Sequence, residues 1–148
     1  MVLRPEQLQN LLERIEDGEK VSLAYVWCLA MELEDALSFA QGVITIGAPG
    51  LEPEATAEEA KAEQAADMQF TLRLIERLCE ALAAQPAVEL TAELTPLTEA
   101  LGRVEERRAS GKLTDLLKPL AEAEKLAISL RERFAMPENK EVSEWLPN

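Results

Sequence analysis

Residues 21 to 41, VSLAYVWCLAMELEDALSFAQ, are apolar nearly all the way round a helical circumference. A helix of that kind is stable in water only when other elements surround it, so it belongs at the centre of a packed domain. This one segment constrains the rest of the chain: the remaining elements must supply amphipathic faces to cover it. They have the right pattern. Leu8, Leu11, Leu12 and Ile15 recur at helical spacing in a segment opened by Pro5 and closed by Asp17-Gly18, the start and stop residues of a short first helix.

After the central segment comes GVITIGAPGLEPEAT, where Gly42, Gly47, Pro49, Gly50 and Pro53 predict a break and Val43 to Ile46 form a β-prone run. Residues 51 to 67 hold six acids and one lysine and read as a linker or as the exposed first turns of a long helix. Thr56 and Glu59 match a capping box, which starts a third helix there. Met68, Leu72, Ile75, Cys79 and Leu82 form its stripe, widened by Leu74 and Leu78, and it ends near Gln85-Pro86.

A fourth helix carries Leu90, Leu94, Leu97, Leu101 and Val104, a leucine seam that Pro96 kinks and Ser110-Gly111 ends. That seam suits internal packing and also contact with a second copy of the chain. The fifth helix is predicted over Leu113 to Phe134, with an internal Pro119 and a stripe through Leu116, Leu120, Ala127, Leu130 and Phe134. Met136-Pro137 stops it. The fold class is all-α, a bundle of four to five helices, with residues 1–136 as a single domain and 137–148 as a C-terminal tail.

Composition narrows the chemistry. The chain has 148 residues and no histidine, which removes the commonest general base and metal ligand and with them Ser-His-Asp, Cys-His and His-metal sites. Only Cys28 and Cys79 are present, among apolar neighbours, and they are expected as reduced core thiols. Fifteen Lys and Arg against 28 Asp and Glu leave a net charge of -13, a field that repels phosphate backbones and anionic lipid headgroups, so no nucleic-acid or membrane partner is expected. MVLRPEQLQN lacks the basic region and apolar core of a secretory signal, and the longest uncharged run, Val21 to Met31, is too short to span a bilayer. A cytoplasmic location is the expectation.

Three acids, Glu32, Glu34 and Asp35, interrupt the central segment. With Glu32 as the zero of a helical wheel at about 100° per residue, Tyr25, Cys28, Ala36 and Phe39 lie within about 40° of it and Asp35 about 60° to one side. Glu32 thus shares an apolar and aromatic face, whereas Glu34 is expected in solvent. A carboxylate so placed must be paired, metal-bound or protonated, and Arg73, Arg77 and Arg131 are the candidate partners.

Glu13, Glu16, Glu32 and Asp35 spell E-x-x-E, fifteen residues, then E-x-x-D. Two such pairs on facing helices can direct oxygens at Mg²⁺, which binds through carboxylates and substrate phosphates. The pattern resembles that of the all-α nucleoside triphosphate pyrophosphatases of the MazG type, and MELEDAL, Met31 to Leu37, is similar to the second half of their signature. The resemblance covers about residues 11 to 40. It implies Mg²⁺ held by Glu16, Glu32 and Asp35 and water activated against a nucleoside triphosphate. Glu13 departs from it, projecting away from the stripe of the first helix.

In the tail PENKEVSEWLPN, Val142, Trp145 and Leu146 form an i, i+3, i+4 apolar cluster suited to docking in a groove. Arg103, Arg107 and Arg108 complement the end of the fourth helix. With no catalytic motif in the sequence, the favoured function is non-enzymatic: a bundle that binds another protein as an adaptor, chaperone-like or assembly factor, without a cofactor. Mg²⁺-dependent nucleotide hydrolysis by Glu16, Glu32 and Asp35 is the alternative.

Overall fold

A computed structural model of the chain describes residues 3–21, 24–47, 52–85 and 89–138. Five α-helices follow in order: α1 (Pro5–Glu16), α2 (Ala24–Thr45), α3 (Ala57–Ala83), α4 (Thr91–Ser110) and α5 (Leu117–Glu132), the last preceded by a 3-10 turn (Leu113–Leu116). The all-α bundle is what the periodicities predict. Among the described residues there is no strand, and no helix is long and apolar enough to cross a membrane.

The central position of α2 follows from its apolar girth. Tyr25, Leu29, Leu33 and Leu37 are fully enclosed, and α3 and α5 pack on its two sides. α4 packs against α5 and touches α3 more lightly, while α1 lies on α3 through the face that buries Leu11, Leu12 and Ile15. At about 25 cal/mol for each Å² of apolar surface, this burial is the main force holding the bundle together.

Local signals set the helix starts. Pro5 occupies the first position of α1, where no amide donor is missed, and the Arg4 N–H donates to Gln7 Oε1 at 3.0 Å. Thr56 caps α3, its hydroxyl oxygen accepting the Glu59 N–H at 3.1 Å. Residues 57–67 are therefore the first turns of that helix rather than a linker. α4 runs unbroken through Pro96.

Three expectations need correction. Val43 to Ile46 is not extended: α2 continues through Gly42 to Thr45, because Ala40, Val43 and Ile44 prolong its buried stripe and Gln64 Nε2 of α3 donates to the Val43 carbonyl at 2.9 Å. Burial there outweighs the roughly 1 kcal/mol that a helical glycine costs. The stop comes at Gly47, whose φ of +109° other residues rarely adopt. At its other end α2 begins at Ala24; Val21 is buried outside the helix. Finally, the fifth helix divides into the 3-10 turn and α5, which places Pro119 in the first turn of α5, where its missing N–H breaks no bond.

Candidate functional site

α2 and α3 leave an open groove of about 430 Å³ between them, lined by Glu32, Asp35, Ala36 and Phe39 from α2 and by Asp67, Phe70, Thr71 and Leu74 from α3. The face that Glu32 shares begins buried, at Tyr25 and Cys28, and opens to solvent at Phe39, which is 45% exposed. Phe70, across the groove, is 73% exposed. It falls off the α3 stripe of Met68, Leu72, Ile75 and Leu82, a large apolar residue on the polar side.

The acids on α2 have different surroundings from those expected. Glu34 is not solvated: Arg131 of α5 donates through Nε to Glu34 Oε2 at 2.6 Å, with the side chains only 26% and 18% exposed respectively. Arg77 is likewise taken, gripping Glu16 with Nε and Nη2 at 3.0 and 2.9 Å and tying α3 to α1. Among the described residues no basic side chain forms an ion pair with Glu32. Its Oε1 is buried without a hydrogen-bond partner among those residues, while the Leu3 backbone N–H donates to the carboxyl group.

Electrostatics follow the geometry. Burial, reinforced by the charge of Asp35, pushes the Glu32 carboxyl above the ordinary glutamate range, and burial with the neighbouring Glu34 raises Asp35. Glu16 moves the other way, lowered by its hydrogen bonds to Arg77. Both cysteines are free thiols, and burial raises Cys28 to about 11 and Cys79 to about 12, so neither is a nucleophile at neutral pH.

The structure therefore brings Glu32 and Asp35 to one groove but commits Glu16 to Arg77 on the α1–α3 side. No group of three or more acidic or cysteine side chains among the described residues could hold a metal ion. The donor set that the MazG-type resemblance implies for Mg²⁺ does not assemble there. The cluster Val142, Trp145 and Leu146 lies outside the described residues.

A second, larger groove of about 640 Å³ runs between α3 and α4, lined by Leu72, Ile75, Cys79, Leu101 and Val104 with Glu76, Glu80, Glu105 and Arg108 at its rim. α3 is thus flanked by open grooves on both sides. The contributions of Asp67 and Phe70 were not identified from the sequence, although Phe70 standing off the helical stripe was a usable signal.

Compared with models of protein families, with curated proteins and with solved structures, the chain matches none.

Proposed function

We propose that this chain is a non-enzymatic helical bundle that binds another protein, as an adaptor or assembly factor, through the open α2–α3 face. The observation that supports it is Phe39 and Phe70 standing in solvent on either side of a groove in a domain whose other aromatic core residues, Tyr25 and Trp27, are enclosed. Aromatic side chains exposed beside a groove are the usual anchors of protein interfaces, where they bring large contact area at low entropic cost. The residues lining the groove include no cysteine, lysine or arginine, and the chain has no histidine, so the groove brings neither a thiol nor an imidazole to a reaction.

Nucleotide hydrolysis with Mg²⁺ is the weaker reading, because Arg77 engages both Glu16 carboxylate oxygens. The tail bearing Trp145 is a second contact in this proposal, checked by whether Trp145→Ala releases a captured partner.

The test is site-specific photo-crosslinking in cells of the source organism, with a photoreactive phenylalanine analogue at position 39 or 70 and, as control, at exposed Lys125 on α5. A discrete heteromeric adduct from 39 and 70 but not from 125 is expected. Equal adducts from all three positions, or none from any, would refute the reading.

A further inference from the structure

The groove between α2 and α3 offers hydrogen-bond acceptors and almost no donors. Glu32, Asp35 and Asp67 bring carboxylates, no lysine or arginine is among its lining residues, and the Thr71 hydroxyl is already spent donating to the Asp67 carbonyl at 2.7 Å. Arg131 of α5, whose charge acts on Asp35, is held by Glu34. The rest of the wall, Ala36, Phe39, Phe70 and Leu74, is apolar.

Resting on the protein-binding reading above, we propose that this groove takes a basic amphipathic segment of a partner protein, with an arginine or lysine among the three carboxylates and apolar side chains against Phe39 and Phe70. Charge complementarity selects that occupant. A second copy of the chain would bring its own net charge of -13, and phosphate-bearing ligands would be repelled by the same field. A cationic side chain suits the accessible wall: it neutralises Asp35 and Asp67 beside the partly buried Glu32 and lies against aromatic rings that attract cations. The volume of about 430 Å³ suits one or two side chains rather than a whole helix, so the segment lies along the groove and inserts its anchors.

The experiment uses the full chain and two synthetic amphipathic peptides, one of leucine and arginine and one of leucine and glutamate, read by fluorescence anisotropy. The basic peptide binds and the acidic one does not. Asp35→Asn with Asp67→Asn raises Kd about tenfold, as does Phe70→Ser, and their melting curves stay near that of the parent chain. A charge-matched control, Glu54→Gln with Glu132→Gln at exposed positions away from the groove, changes Kd less than about twofold.

Equal weakening by the two acid-removing pairs would mean that the basic peptide reads only diffuse charge, and would overturn the proposal. So would an unchanged Kd in Phe70→Ser. The two levels of the argument separate at the crosslink: a partner captured at position 70 through a neutral or acidic segment overturns the basic-segment inference and leaves protein binding intact. Absence of any adduct removes both.

Discussion

The two flanks of α2 are built from the same helix and meet charge in opposite ways. Toward α5 the wall is closed: Glu34 is half-buried but held by Arg131, and Gln41 Nε2 donates to Glu124 Oε1 at 3.0 Å, so polar groups at the helix margin have partners. Toward α3 the wall gapes, with Glu32 and Asp35 facing Asp67 and two exposed phenylalanines. The difference shows that an acid in an apolar stretch acquires its meaning from the neighbour it faces. Polar side chains are paired across the closed flank, and surface chemistry left without an internal use is on the open one.

The comparison can be broken outright at the core that both flanks share. Leu37→Ala removes a fully enclosed side chain of α2 and costs about 3 kcal/mol, measured by urea unfolding. A loss below about 1 kcal/mol would contradict the central placement of α2. Next in size is the closed flank. Arg131→Met strands the half-buried Glu34 carboxylate and costs about 1 to 2 kcal/mol, while adding Glu34→Gln recovers part of it. If the double variant is no better than the single one, Glu34 is not paired as described.

The open flank responds with the opposite sign. Glu32 has a raised native pKa, so the folded chain holds its proton more tightly than the unfolded chain, and ionisation costs stability as pH rises from the ordinary glutamate value through the raised one. Glu32→Gln therefore raises Tm by about 2 °C near neutral pH, and the gain disappears below the ordinary carboxylate range. A destabilised variant at neutral pH would show that the charged carboxylate has a favourable partner. The smallest effect is at the rim: Phe70→Ser changes stability by less than about 0.5 kcal/mol, and a larger loss would place Phe70 inside the core.

Much of this was legible along the chain. The Thr56 cap, Pro5 at the start of α1 and the passage of α4 through Pro96 could be read because a cap or a seam is a relation between residues a few positions apart. The extension of α2 to Thr45 was not, since Val43 and Ile44 are helical for the sake of burial against neighbouring helices rather than by local preference. The candidate site was half visible: the wheel put Glu32 and Asp35 together with Phe39, but Asp67 and Phe70 lie 28 to 38 positions away on another helix.

By itself the sequence determined that this chain is helical, that the apolar segment read over residues 21 to 41, found as α2, supplies its central helix and that Glu32 sits on an apolar face, because helical periodicity is a short-range property of the backbone. Only the tertiary structure decided which acid received an arginine. That choice depends on the angle at which α3 and α5 approach α2, which is set by the summed packing of side chains distant in sequence. Arg131 came to Glu34, Arg77 to Glu16, and the groove beside Glu32 was left lined with acids and aromatic rings.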